Sequence, residues 1–169
     1  VIDIEKEHIE FKNAVNIILE GLNPLGEEYL SIFKNGIKDG WIDIYQNEGK
    51  RGGAYSWGSY DTMPYVLLNY DHSLNDVSTF AHEMGHSIHS YYSRKNQPYI
   101  YAGYTIFCAE VASTTNEVLL INHLINKETD KNRKLYLINQ ELEQIRATVF
   151  RQLMFAEFEL YTHESIEGG

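Results

Sequence analysis

The chain has 169 residues, which is enough for one domain with a substantial hydrophobic core. Its 14 Lys and Arg against 24 Asp and Glu give a formal net charge of -10 at pH 7, which argues against a nucleic-acid or anionic-membrane partner. The single cysteine, Cys108, excludes a disulfide framework, and no apolar run approaches the length of a membrane span. We therefore expect a cytoplasmic protein.

The first part of the chain is predicted to be helical and the next part β-rich. Apolar residues recur at helical spacing over residues 4–22 and again over 26–37, so residues 1–37 are expected to form two helices. From Trp41 the pattern changes to alternation. Residues 38–72 are therefore predicted to form a small sheet or hairpins.

A helix predicted over residues 73–95 carries the sequence His82-Glu83-x-x-His86. Its apolar residues fall on one face, and His82, His86 and His89 fall on the opposite face. Two imidazoles one turn apart can bind one Zn²⁺, whereas Glu83 points about 100° away and is free to act as a base. The alternative is an ordinary solvated face, but such faces usually carry Lys or Arg, and none occurs in residues 52–93. The pattern favours a metal site with one Zn²⁺ per chain.

A zinc ion held by two histidines needs a third protein ligand. Tyr92 stands where one class of zinc peptidases has a third histidine, so a glutamate on the next helix is expected instead. The helix predicted over residues 101–127 offers Glu110 and Glu117 on one stripe, and burial of both carboxylates would require a partner. We expect Glu110 to be the ligand and Glu117 to accept an imidazole N–H. The alternative is that both carboxylates pair with Lys or Arg from elsewhere.

His89 lies one turn beyond His86 on the same stripe, so we expect it near the ligands or the substrate rather than on the metal. The last predicted helix, over residues 129–166, would be roughly 54 Å long. A globule of this chain length is only roughly 40 Å across. This helix is therefore expected either to kink or to cross a larger molecule.

Three segments together resemble the M3 family of zinc metallopeptidases, and within it the bacterial oligoendopeptidase F group. They are KRGGAYSWGSYDTMPYVLLNY, HEMGHSIH and YAGYTIFCAEVASTTNE. The family motif HExGHxxH is met by His82, Glu83, Gly85, His86 and His89. The position of the family's third zinc ligand falls on Glu110.

The resemblance implies a mainly α fold with a small β-sheet or hairpin region. It implies a zincin-like (neurolysin-like) catalytic core, in which a gluzincin helix pair is followed by a long C-terminal helix. Residues 1–169 would then be a single partial catalytic domain of a zinc metalloendopeptidase that cleaves short peptides in the bacterial cytoplasm. Glu83 would be the general base. Gly53, Ala54 and Tyr55 would lie on an edge strand that receives the substrate, or would simply form a hairpin with a glycine bulge.

The resemblance also implies what this chain lacks. Nothing in it matches the His- and Tyr-rich segment that holds the oxyanion in the family, nor is there room for the family's amino-terminal lobe. The rest of the parent enzyme is therefore an expected partner, together with short peptides, and neither nucleic acid nor membrane is expected. Two alternatives remain, a zinc-binding but inactive fragment and a purely structural helical module.

Overall fold

The computed structural model describes residues 7–168, in which helices come first, three strands follow and helices make up the remainder. The elements in chain order are α1 (Phe11–Gly21), α2 (Gly26–Lys38), β1 (Ile42–Tyr45), β2 (Tyr55–Trp57), β3 (Tyr65–Tyr70), α3 (Leu74–Asn96), α4 (Ile106–Lys127), α5 (Lys131–Ile145) and α6 (Arg151–Glu167). The prediction of a mainly helical fold with a small sheet is confirmed. Within residues 7–168, no helix is both long and apolar enough to cross a membrane.

Contacts divide the described residues into two compact units, 7–124 and 125–168. The first unit holds α1 to α3, the sheet and most of α4. Its core is formed by the apolar faces of these elements, and its largest fully buried side chains include Ile18, Phe33, Phe80, Met84 and Leu120. The ring of Phe80 lies 5.0 Å from that of Phe11 and 5.4 Å from that of Phe33. This packing holds one face of α3 rigidly against α1 and α2.

The three-stranded sheet has the order β1-β3-β2. β1 runs parallel to β3, with Ile42 opposite Val66, and β2 runs antiparallel to β3, with Ser56 opposite Val66. The predicted sheet is thus present, and β2 is one of its edges. A parallel pair could not be derived from the alternation pattern, because that pattern does not show which strands are neighbours.

Helix α3 begins almost where the sequence predicts. Ser73 caps it, since its side chain accepts from the backbone N–H of Asp76 while the Asp76 carboxylate accepts from the backbone N–H of Ser73. This reciprocal arrangement satisfies N–H groups that a helix start leaves unpaired.

Two predicted helix starts are wrong. α1 begins at Phe11 rather than at residue 4, because the backbone N–H of Ile9 is bonded to the carbonyl of His72 and is held outside the helix. The part of that prediction on residues 4–6 lies outside the described residues. α4 begins at Ile106 rather than at residue 101, because Tyr99–Tyr101 forms a separate 3-10 turn and Gly103 follows it.

The second unit consists mainly of α5 and α6, which a π-helical turn, Arg146–Phe150, joins into one continuous helical run. Asp130 caps α5 by accepting from the backbone N–H of Arg133. From the π turn onward this run exposes large apolar side chains, which are Val149, Phe150, Leu153, Met154, Phe155, Phe158, Leu160, Tyr161 and Ile166. The long predicted helix is thus present, with a π turn inside it.

Candidate metal centre

Helix α3 brings His82 and His86 together one turn apart. Their Nε2 atoms are 3.1 Å apart, and the ring planes are nearly perpendicular at 85°. Both side chains are half-buried, with 24% and 17% of their surface exposed. The predicted pair therefore presents two imidazole nitrogens to one point at the edge of the core.

Helix α4 adds the carboxylate of Glu110 to this point. Its Oε2 atom lies 3.6 Å from Nε2 of His82 and 3.7 Å from Nε2 of His86. The hydroxyl of Ser113 donates to the same oxygen at 2.9 Å. His82, His86 and Glu110 form one of the groups of potential metal ligands among the described residues.

The expectation that both carboxylates of α4 are buried is wrong for Glu110. Its side chain is 45% exposed, whereas that of Glu117 is 14% exposed. The cause is that α4 has an uncovered surface near its start, where Ile106 and Phe107 are also exposed. Burial therefore does not require Glu110 to have a partner, and its short distance to the two histidines is what supports Glu110 as a ligand.

Glu117 lies behind His82 rather than among the three converging atoms. Its Oε2 atom is 2.9 Å from Nδ1 of His82, and its Oε1 accepts from Ser78 at 3.3 Å. A carboxylate next to Nδ1 holds a proton on that nitrogen and leaves the Nε2 lone pair free. Burial lowers the pKa of His82, but the hydrogen bond and charge of Glu117, together with the charges of Glu83 and Glu110, outweigh it, so the pKa is raised overall.

The pKa of His86 is shifted in the opposite direction. Burial lowers it, and the neighbouring His82 lowers it further, while the charge of Glu110 and a hydrogen bond to the backbone of Ala109 act against the shift. The lowered pKa keeps the His86 imidazole neutral at pH 7, which is the form that binds a metal.

Glu83 is buried, with only 7% of the residue exposed, and it is not one of the three residues whose ligand atoms converge. Burial raises the pKa of Glu83, and the charges of Glu110 and Glu117 raise it further. His82 and a hydrogen bond from the backbone N–H of Ser56 act in the lowering direction without cancelling the rise. Glu83 is therefore a carboxylate with more affinity for a proton than an exposed one.

Edge strand β2 is attached to α3 beside Glu83. The backbone of Ser56 lies close enough to the Glu83 carboxylate to lower its pKa, and the hydroxyl of Ser56 lies 2.8 Å from that of Ser87. Ser87 in turn donates to the backbone carbonyl of Glu83 at 2.9 Å. These bonds hold the strand next to the candidate base.

The predicted substrate-binding residues lie at the start of this strand. Gly53 and Ala54 precede β2 and line a cavity of about 290 Å³, and Tyr55 is the first residue of β2. Gly53 has a φ of +92°, a backbone conformation that residues other than glycine rarely adopt. The turn itself therefore gives a reason for glycine at position 53.

His89 is placed apart from the converging atoms. Its ring stacks on that of Tyr104 at 3.9 Å, and its Nδ1 is buried without a hydrogen-bond partner among the described residues. Burial lowers the pKa of His89. The structure thus brings His82, His86, Glu110 and Glu117 together, with His89 one turn further along α3.

Gly85 allows α3 and α4 to approach closely between the ligands they carry. A Cβ atom at this position would lie 2.7 Å from the Cα of Ser113 and 3.0 Å from the carbonyl oxygen of Ala112. Real Cβ contacts are not this short, so only glycine fits. The distance from Glu110 to the histidines depends on this contact.

The family model described as peptidase family M3 matches residues 4–169, which is nearly the whole chain. The chain belongs to peptidase family M3. The resemblance stated from the sequence is thereby confirmed.

Relatives within the M3 family are similar over nearly the whole of this chain. Oligopeptidase PepF of Bacillus subtilis (strain 168) is 53% identical over 161 residues, which are 95% of this chain and 24% of that protein. The oligoendopeptidase F homolog of Borreliella burgdorferi is 49% identical over 158 residues, 92% of this chain and 27% of that protein. A solved structure from Chlamydophila abortus has a TM-score of 0.86 at 48% identity, covering 98% of this chain and 28% of that one. The chain spans about a quarter of the length of these M3 relatives.

Several residues of this M3 site were not selected from the sequence. Ser78 and Ser113 contact the two glutamates, and each is a helical neighbour of a predicted residue, four positions before His82 and three after Glu110. That spacing was a usable signal. The bond from Ser56 to Glu83 had no signal, because a backbone N–H donor is present at every residue except proline.

Proposed function

We propose that this chain carries the metal-binding part of a zinc-dependent metalloendopeptidase that hydrolyses short peptides. The observation that supports this most is the triangle of donor atoms formed by Nε2 of His82, Nε2 of His86 and Oε2 of Glu110, with edges of 3.1, 3.6 and 3.7 Å. Membership of a peptidase family supports the reaction class, and bacterial relatives named as oligopeptidases support short peptides as substrates.

The donor set fits zinc by both chemistry and spacing. Two imidazoles and one carboxylate are typical of catalytic zinc sites, which leave a further position open. Ligand atoms on a tetrahedral zinc ion lie roughly 3.3–3.4 Å apart, as follows from bond lengths of about 2.0–2.1 Å. The observed edges bracket that separation. The negative charge of Glu110 would offset part of the charge of a divalent ion.

Zinc bound by these three residues would supply a Lewis acid that polarises the peptide carbonyl and acidifies water. Glu117 keeps His82 in the correct tautomer and fixes its ring orientation, and the hydroxyl of Ser113 orients the Glu110 carboxylate by donating to it. The arrangement therefore presents preformed ligands rather than ligands that must be gathered at the time of binding.

Glu83 is proposed as the general base. Its raised pKa makes it a stronger proton acceptor than an ordinary carboxylate, and its position next to His82 puts it beside the metal without making it a ligand. It would take a proton from the attacking water and deliver it to the amine that leaves. Ser56 steadies this carboxylate through its backbone N–H.

The strand β2 is proposed to receive the substrate backbone. It is an edge of the sheet, and an extended peptide can add to such an edge through main-chain hydrogen bonds. Its attachment to Glu83 would bring a bound peptide next to the base. Gly53, Ala54 and Tyr55 are the residues on which the peptide would begin to pair.

A second candidate function is zinc binding without peptide hydrolysis by this chain alone. The observation that favours it is that the chain spans about a quarter of the length of its relatives. Groups that stabilise the oxyanion and the rest of the substrate channel would then come from other parts of the longer protein. Loss of such stabilisation typically costs roughly 10²–10³ in rate.

Metal analysis tests the ligand assignment. After dialysis against Zn²⁺ and removal of free metal, Glu83→Gln is expected to retain the zinc of the parent chain, and Glu110→Ala is expected to lose it from this site. Glu83→Gln serves as the matched control, since it also changes a glutamate beside His82. Zinc bound as tightly by Glu110→Ala as by the parent chain would show that Glu110 is not a ligand.

Hydrolysis of a quenched fluorescent peptide of about eight to ten residues separates the two candidate functions. The full-length protein is expected to cleave it, its Glu83→Gln variant to be inactive, and this chain alone to be weakly active or inactive. Cleavage by the full-length Glu83→Gln variant at the parent rate would remove Glu83 from the mechanism. If the full-length protein binds zinc but cleaves no peptide, the peptidase proposal is wrong.

A further inference from the structure

A second group of potential metal ligands lies outside the site described above. It consists of His8, Glu10 and His72, whose ligand atoms all lie within 4.8 Å of one another. Nε2 of His8 is 2.9 Å from Oε1 of Glu10, and the rings of His8 and His72 stack at 4.0 Å with planes 20° apart. This group, called here the His8 cluster, shares no residue with the first site.

The two members before α1 are held in place by the residue between them. Ile9 is buried, its backbone N–H donates to the carbonyl of His72 at 2.8 Å, and its own carbonyl accepts from the hydroxyl of Tyr70 at 2.8 Å. Side chains alternate along an extended segment, so His8 and Glu10 both lie on the side opposite Ile9. Both are exposed. The backbone thus sets the pair side by side at the surface.

His72 has an unusual backbone conformation. Its φ of +62° is the one positive value for a residue other than glycine among residues 7–168. The left-handed region disfavours side chains, although histidine enters it more readily than most. This conformation turns the ring onto that of His8 and against that of Tyr70, whose centroid is 5.4 Å away.

The hydrogen bonds of His72 leave one nitrogen available. Its Nδ1 lies 3.3 Å from the carbonyl oxygen of Ile9, which can only accept, so Nδ1 carries the proton. In the neutral ring, Nε2 then keeps its lone pair. Nδ1–H bonded to a backbone carbonyl is the usual support for an imidazole that binds metal through Nε2.

We propose that the His8 cluster is a second metal site, which binds a divalent transition-metal ion such as Zn²⁺ through two imidazoles and one carboxylate. This donor set suits zinc, nickel and copper rather than magnesium or calcium. Because the side chains of His8 and Glu10 are exposed, they can rotate to bring the donors to bonding distance. The ion would join the segment before α1 to the residue that precedes Ser73, the cap of α3, and would therefore secure the start of the helix that carries His82 and His86.

Zinc binding to the 169-residue chain tests the proposal. Equilibrium dialysis at micromolar free Zn²⁺ and neutral pH is expected to give two ions per chain for the parent and one for His8→Ala, Glu10→Gln and His72→Asn. Asparagine tolerates the backbone conformation of His72, so this variant removes the imidazole with little strain. His123→Ala is the matched control, since it removes a histidine of α4 outside both groups and should leave two ions bound.

A second measurement keeps the two sites distinguishable. The variant with both His82→Ala and His86→Ala is expected to retain one Zn²⁺, and adding His8→Ala to it is expected to abolish binding. If the parent chain binds one ion and the three His8 cluster variants bind as much, the proposal is wrong whether or not the first site binds zinc. Thermal melts of each variant without metal identify any that fail to fold. The number of zinc ions bound by the remaining His8 cluster variants then decides whether the second site exists.

Discussion

At the scale of single residues, Glu117 fixes which nitrogen of His82 faces the other two donors. A carboxylate bonded to Nδ1 leaves Nε2 unprotonated in the neutral ring, and Nε2 is the atom that lies 3.1 Å from His86 and 3.6 Å from Glu110. Without this partner the ring could exchange tautomers or rotate. Glu117 therefore contributes by orienting the His82 ring. It touches no other member of the triangle.

Replacing Glu117 is predicted to weaken zinc binding without abolishing it. Glu117→Ala should lower the affinity of the first site roughly 10–100-fold, which is the usual effect of removing an outer partner of a ligating histidine. Glu117→Gln should keep much of the affinity, because an amide oxygen can still accept from Nδ1–H. Competition with a zinc-binding dye measures both.

The same change at an exposed glutamate supplies the control. Glu157 lies on α6 and is exposed, so Glu157→Ala should leave zinc affinity unchanged. Equal affinities for Glu117→Ala and the parent chain would mean that the hydrogen bond to His82 has no part in metal binding.

At the scale of secondary-structure elements, the site depends on how closely α3 and α4 pack. Gly85 is the residue that permits this, since a Cβ atom there would meet backbone atoms of Ser113 and Ala112. Backbone cannot rotate away as a flexible side chain can. Any larger residue must therefore push the helix of Glu110 away from the helix of His82 and His86.

Gly85→Ala is predicted to lower both stability and zinc affinity. The steric cost of overpacking, about 1–3 kcal/mol, opposes the gain of about 1 kcal/mol that alanine brings to a helix interior, and we expect a net loss. Urea unfolding and zinc competition measure the two effects. Gly52→Ala is the matched control, because a Cβ atom there meets nothing within 4 Å, and its effect on stability should stay within about 0.5 kcal/mol. Unfolding of Gly85→Ala at the same urea concentration as the parent would contradict the close-packing argument.

The elements differ in how well the sequence predicts them, and local signals explain the difference. α2 and α3 are predicted to within one residue because apolar periodicity and end signals coincide in them, as with Ser73 before α3. The start of α1 is set by the bond from Ile9 to His72, a contact between residues 63 positions apart. The π turn Arg146–Phe150 contains neither proline nor glycine, so nothing in the pattern marks it. Neither a long-range contact nor a local π-helical turn leaves a periodic trace in the sequence.

The residues of the site also divide into those that local spacing predicts and those that depend on long-range contacts. His82, Glu83 and His86 lie within one turn of one helix, so their geometry follows from spacing alone. Glu110 is on a second helix, and the sequence could propose it but could not supply its distance to the histidines or its exposure. The bond from Ser56 to Glu83 uses a backbone donor and could be found only in three dimensions.

At the scale of the whole molecule, every residue of the first site belongs to one compact unit. His82, His86, Glu110 and Glu117, together with the serines that contact them, lie within residues 7–124, whereas α5 and α6 lie within 125–168. No member of the donor triangle comes from the second unit. Formation of the site should therefore not depend on that unit.

A shortened chain is predicted to retain the metal. The chain ending after Lys127, at the end of α4, should bind zinc at the first site with an affinity within a few-fold of the parent, as measured by dye competition. The shortened chain can be less stable than the parent chain and still bind zinc. Far-UV circular dichroism therefore checks that it is folded when binding is measured. A folded shortened chain that has lost the first-site zinc would mean that residues beyond 127 support the ligands.

One contact links the edge strand β2 to the protonation of Glu83. The backbone of Ser56 on β2 lies close to the carboxylate of Glu83 and favours its ionised form, which lowers the pKa of Glu83. Thermodynamic reciprocity then requires that whatever tightens the strand against Glu83 also lowers the proton affinity of Glu83, and that protonation loosens the strand. The edge that would hold a peptide and the group that would take its proton are thus energetically coupled, and neither can be tuned independently of the other.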